Sequence, residues 1–135
     1  MTTERLLYYY YNMITQNFGE YFRAKRISLG FTLRSFCERY NYDPGNISRL
    51  ERNILLPSLD DSKLAGYAAA LKISKDSEEW VLFHDLAYSA KNSIPKDLTE
   101  TGYGFLPAFF RTMRNKKMDK SKLKELIDFL NDKNQ

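Results

Sequence analysis

The chain has 135 residues, 43% hydrophobic and 15% aromatic, a composition rich enough in apolar surface for a core and unlike that of a disordered chain. Its formal net charge of +4 is a mild bias toward anionic partners. Apolar runs are too short to span a bilayer, the N-terminus lacks a signal-peptide core, and the single cysteine, Cys37, has no partner for an internal disulfide, so one main domain in a reducing cytoplasm, with no membrane partner, is expected.

Helical periodicity runs through the chain and no alternating strand pattern interrupts it, so an all-α fold is expected. Leu7, Tyr11, Ile14, Phe18 and Phe22 recur at helical spacing, which makes residues 4–16 a candidate helix leading into the next. Phe18 to Leu29 reads as an amphipathic helix with Phe18, Phe22 and Ile27 inward, closed by Gly30. Thr32 is placed to cap a short helix running to about Tyr40, with Leu33, Phe36, Cys37 and Tyr40 apolar. Asn41 stands where the chain must turn, and asparagine tolerates the left-handed conformation. Asp43-Pro44 then opens a third helix, because Asp43 caps free N–H groups and Pro44 has none to leave unpaired. Its apolar stripe is narrow, only Ile47 and Leu50, so a broad polar face is left for a partner.

Pro57-Ser58 breaks the pattern, and residues 60–71 resume it with Leu64, Tyr67, Ala68 and Leu71. Asp76-Ser77 precedes an acidic first turn, Glu78-Glu79, with Trp80, Phe83, Leu86 and Ala87 as the buried stripe. Ser89 to Gly104, with Pro95 and two glycines, reads as a linker. Pro107 begins a brief helix with Phe109, Phe110 and Met113, for which core packing is the simplest role. Asp119 or Ser121 caps a last helix carrying Leu123, Leu126, Ile127 and Leu130. The expected organisation is an N-terminal helical extension over 1–16, a main domain over 17–90, a linker over 91–104 and a C-terminal helical appendage over 105–135.

Charge is banded. Residues 19–56 carry seven basic and four acidic groups, residues 57–103 five and eight, and residues 104–122 six and one. The band that holds the third helix is therefore basic, although charged bands are most often solvated faces.

Short helices joined by tight turns, the second and third about four residues apart, match the helix-turn-helix arrangement. Lys25-Arg26-Ile27-Ser28-Leu29-Gly30, then Thr32, then Asn46-Ile47-Ser48-Arg49-Leu50-Glu51-Arg52, then Pro57-Ser58-Leu59 resemble the phage-repressor (Cro/repressor, or XRE) family over about residues 18–72. The resemblance implies a five-helix bundle whose third helix enters the DNA major groove. It implies that Arg26 and Glu51 form a structural ion pair tying that helix to its scaffold. It carries the base-reading positions onto Pro44, Gly45, Asn46 and Arg49, with Arg49 suited to guanine O6 and N7, and with Ser48 and Arg52 as lesser candidates. Arg34 and the amides near Thr32 and Leu33 are candidate phosphate contacts. Pro44 and Gly45 depart from the family's usual polar side chains. Neither donates a side-chain hydrogen bond, which favours close backbone approach over direct readout. Gly45 is equally readable as a packing glycine.

Small helix-turn-helix proteins with such extensions resemble antitoxins that repress their own operon and bind a toxin. A DNA-binding transcriptional repressor, acting as a homodimer on a two-fold operator, is thus expected, with a toxin protein as a possible partner. The rival is a protein-interaction module that keeps the bundle without binding DNA. Tyr8 to Tyr11 cannot all face one core on a helix, so they serve an interface or pack in part locally. The C-terminal helices are candidates for dimerisation or partner docking. No phosphate-binding glycine loop, metal-spaced Cys/His set or catalytic triad is present, so no enzyme activity, cofactor or metal is expected. Cys37 reads as a small core residue, and His84 has no companion ligands.

Overall fold

The computed structural model describes residue 4, residues 16–98 and residues 106–133, and these are helical with no strand among them. The chain divides into two compact units, Met1–Pro95 and Lys96–Gln135. The expected helix over 4–16 and the Tyr8–Tyr11 cluster lie outside the described residues, apart from Glu4 and Gln16.

The first unit contains α1 (Phe18–Ser28), α2 (Leu33–Tyr40), α3 (Pro44–Glu51), α4 (Asp61–Ala70) and α5 (Glu78–Ala90). Each start has a chemical cause. Asn17 Oδ1 accepts the Glu20 N–H at 2.9 Å, Asp43 Oδ2 that of Asn46 at 2.9 Å, and Ser77 Oγ that of Trp80 at 3.1 Å. Thr32 and Ser35 form a reciprocal capping box, with Ser35 N–H on Thr32 Oγ1 at 3.0 Å and Thr32 N–H on Ser35 Oγ at 2.9 Å. The stops are equally local. Gly30 sits at φ +85° after α1, and nothing lies within 4 Å of where its Cβ would be, so it is the dihedral that calls for glycine. Asn41, at φ 58° and ψ 48°, turns the chain between α2 and α3. Asn53, at φ 61°, closes α3, with its own N–H on Leu50 O at 3.1 Å and that of Ile54 on Arg49 O at 2.9 Å.

α1 packs on α3 and on α5, α2 packs on α3, and α4 packs on α5. Phe18, Phe22, Phe36, Ile47, Leu64 and Phe83 are at most 2% exposed at the centre. Phe22 meets Phe36 and Tyr67 edge-on, at 5.7 and 5.5 Å between ring centroids. Outside the core, Glu79 at the start of α5 holds α1 by accepting from Tyr21 Oη at 2.6 Å and from Lys25 Nζ at 3.0 Å.

Two expectations about the first unit need correction. Ile27 is 53% exposed, not inward; it lies nine residues beyond Phe18, about two and a half turns, and so on the opposite face. Tyr21 and Arg26 take the inner positions instead, at 4% and 6% exposure. Helix α5 takes in the first two residues of the Ser89–Gly104 stretch, Ser89 and Ala90, and ends at residue 90.

The second unit holds α6 (Leu106–Asn115) and α7 (Lys120–Lys133). Asp119, not Ser121, caps α7, its Oδ1 accepting the Lys122 N–H at 2.9 Å. Phe109 and Phe110 do not pack into a core. Each is 45% exposed, and no side chain from 106 to 130 is buried. Two short helices enclose too little volume to hide a phenyl ring.

Candidate nucleic-acid interface

Helix α3 divides sharply between its two faces. Ile47, Leu50 and Glu51 are buried, while Pro44, Gly45, Asn46, Arg49 and Arg52 are exposed and Ser48 is half-buried. The inner face is fixed at two points. At the first, Arg26 Nε and Nη2 donate to Glu51 Oε2 and Oε1 at 2.8 and 2.9 Å, with side chains 7% and 5% exposed. The third guanidinium nitrogen, Nη1, donates to Phe31 O at 2.8 Å. One arginine of α1 therefore joins the end of α3 to the turn before α2. Its hydrogen bonds to the Glu51 carboxylate raise the guanidinium pKa above its ordinary value, against the opposing cost of burial.

The second point is Gly19, which sequence reasoning missed. A Cβ there would lie 2.4 Å from Leu50 O and 2.7 Å from Glu51 O, closer than any side chain tolerates. The bare glycine also donates its N–H to Asn53 Oδ1 at 3.2 Å. Its one trace in the sequence is a glycine within a helical pattern, which hints at a close backbone approach without saying to what.

On the outer face, Arg49 Nη2 donates to Asn46 Oδ1 in a short hydrogen bond, which folds the guanidinium back along the first turn of α3. The guanidinium lies over Gly45, where an added Cβ would stand 3.6 Å from Arg49 Nη1, an ordinary contact, and 3.2 Å from Asp43 Oδ2. Arg52 Nε donates to Ser48 O at 3.3 Å. In the first turn Pro44 has no N–H, Asn46 donates to Asp43 Oδ2 and Ile47 to Asp43 O. Gly45 thus supplies the amide of that turn with no acceptor given to it among the described residues.

The start of α2 carries the candidate phosphate contacts. The Thr32 hydroxyl and N–H are both engaged with Ser35 in the capping box, and Leu33 is half-buried against the core, so of these two only Leu33 offers a backbone N–H. Arg34 extends into solvent, its side chain 89% exposed and 3.9 Å from Glu38.

Elsewhere, Cys37 is 2% exposed and burial pushes its thiol pKa up, which disfavours the nucleophilic thiolate. His84 makes tilted ring contacts with Trp80 and Tyr88, at centroid distances of 5.8 and 4.6 Å. No group of three or more metal-ligating side chains comes together among the described residues. No helix among them is long and apolar enough to cross a membrane.

The chain matches no known family model, no curated protein and no solved structure. What α3 presents must therefore be judged on its own chemistry: a rigid scaffold bearing an exposed face of two arginines, an asparagine, a serine and a bare glycine.

Proposed function

We propose that this protein is a sequence-specific DNA-binding transcriptional regulator, a repressor, in which α2 and α3 are the helix-turn-helix of a five-helix bundle and α3 enters the major groove. The observation that carries this reading is the division of α3, whose exposed face is polar apart from Pro44 and the bare Gly45 while its inner face is clamped by Arg26–Glu51 and by the Gly19 crossing. An eight-residue helix has little stability alone, so such anchoring suits a presenter of side chains to a rigid partner. Arg49 reads a base edge, exchanging Asn46 for guanine acceptors as it binds. Asn46 and Ser48 assist, Pro44 and Gly45 allow close backbone approach, and Arg34 with the Leu33 amide holds phosphate. A homodimer places two copies of α3 in successive major grooves, roughly 34 Å apart. In its antitoxin form the reading gives α6 and α7, with Phe109, Phe110, Phe129 and Leu130 45–54% exposed, to a toxin partner.

The test compares two variants on the duplex upstream of the protein's own gene and on a scrambled duplex. Arg49→Ala is expected to lose about 1–3 kcal/mol on the native duplex and little on the scrambled one, whereas Arg34→Ala weakens both alike. Equal losses on both duplexes for Arg49→Ala would remove the base-reading assignment.

One observation favours a second reading, a bundle that binds protein in place of DNA. Arg49 is already satisfied by Asn46, and Pro44 and Gly45 bring no side-chain donors. The absence of any DNA binding at low salt would select it.

A further inference from the structure

One surface feature lies just past the end of α3 and has no role in reading DNA. Ile54, Leu55 and Leu56 follow one another between α3 and α4 and are 62%, 41% and 51% exposed. Single exposed aliphatic side chains are ordinary, but three in succession form a patch. The loop is held in this state. The N–H groups of Ile54 and Leu55 both donate to Arg49 O, at 2.9 and 3.1 Å, and the next residue, Pro57, is buried. A hydrogen-bonded helix end on one side and a buried proline on the other keep the three side chains directed outward.

The two flanks of the patch carry opposite charge. Exposed Arg52 precedes it, while Asp60 and Asp61 follow it, opposed by Lys63 alone. A two-fold axis through such a loop reverses its direction. The apolar centre of one copy then meets that of the other, and each arginine end meets the opposite copy's aspartate end. A patch with one sign of charge on both flanks would repel its own image; this one attracts it.

We propose that the loop over residues 54–56 is the contact through which a second copy of this chain docks, with Arg52 facing Asp61 across the axis. This rests on the homodimer part of the reading above and assigns it a face. Three side chains cover far less than the roughly 800 Å² per partner of a standard interface, so the contact is weak in free solution. Two copies held on adjacent half-sites gain from their high effective concentration.

Disulfide trapping captures a weak two-fold contact directly. The full chain carrying Leu55→Cys is oxidised with copper–phenanthroline, and covalent dimer is followed on a non-reducing gel. Cys37, 2% exposed, stays out of the reaction, and Val81→Cys, at a position 53% exposed, reports random collision. Leu55→Cys is expected to form dimer roughly tenfold faster than Val81→Cys. Adding Arg52→Asp is expected to slow it toward the control, and adding Asp61→Arg to that variant to restore it. Leu56→Cys guards against unfavourable sulfur geometry at one position, and far-UV circular dichroism verifies that each variant is folded. Control-level rates for both Leu55→Cys and Leu56→Cys overturn the proposal, as does indifference to the charge reversal; another protein or another face then covers the loop. Preferential trapping by a chain that binds no DNA leaves the dimer contact standing and removes the DNA reading. DNA binding without preferential trapping does the reverse.

Discussion

Gly19 and Gly45 each occupy the second position of a helix, yet their surroundings predict different fates for an added methyl group. At Gly19 the Cβ meets backbone carbonyls of α3 at 2.4 and 2.7 Å, and neither helix can yield without moving the core beneath it. At Gly45 the nearest atom is a carboxylate oxygen of Asp43 at 3.2 Å, on a side chain free to adjust. Helix propensity alone favours alanine at both. Gly19→Ala is expected to destabilise by about 2 kcal/mol or more, and Gly45→Ala to stay within about 1 kcal/mol of the parent, as urea titration checks. The Arg26–Glu51 pair makes a second residue-scale case. Breaking it by Glu51→Ala is expected to cost about 3–5 kcal/mol, because it strands a buried guanidinium. The double replacement Arg26→Met/Glu51→Met is expected to cost less than either single change, and a double-mutant cycle by urea titration checks it. Tyr42 and Tyr67 supply a pH dependence. Burial raises both phenol pKa values above the ordinary 10.0, so the fold prefers the neutral form. That preference costs nothing below about pH 10 and destabilises as pH rises through and beyond it, toward the raised folded values. Unfolding midpoints are expected to fall between about pH 9 and about pH 11, and to fall less in Tyr42→Phe/Tyr67→Phe.

Among the elements, the helices around the proposed reading head were the most legible from sequence, because their ends are set by neighbouring residues. Thr32, Asn41 and Asp43 fix the start of α2, the turn and the start of α3 through hydrogen bonds spanning three residues or through a single dihedral. Positions set by tertiary contact were not legible in that way. Ile27 looks like core in any hydrophobicity pattern, but helical phase puts it outside, and the charged Arg26 goes in because Glu51 waits there. Gly19 answers to an oxygen 31 residues away, at Leu50, which local pattern does not reveal. Phe109 and Phe110 failed as core residues for want of a third layer to cover them. At the site, the polar face of α3 was readable from its narrow apolar stripe. The folding back of Arg49 on Asn46 was not, since it depends on rotamers. It also bears on the choice, open from sequence, between packing and approach for Gly45: its nearest neighbours are polar atoms of the outer face, and no core atom presses on it.

For the molecule as a whole, the proposed assembly is a clamped bundle that sets its α3 face on a two-fold duplex and its apolar loop against a second copy. The central claim is that the α3 face meets a polyanion. That claim is tested most directly by fluorescence anisotropy of the full chain with a labelled duplex of random sequence, titrated with salt from about 25 mM upward, where phosphate contacts dominate. Log affinity is expected to fall linearly with log salt, with a slope corresponding to roughly three or more phosphate contacts per copy. Arg34→Ala is expected to reduce that slope by about one contact. No binding at the lowest salt, or binding that salt leaves unchanged, would contradict the account and turn the polar face of α3 toward a protein partner.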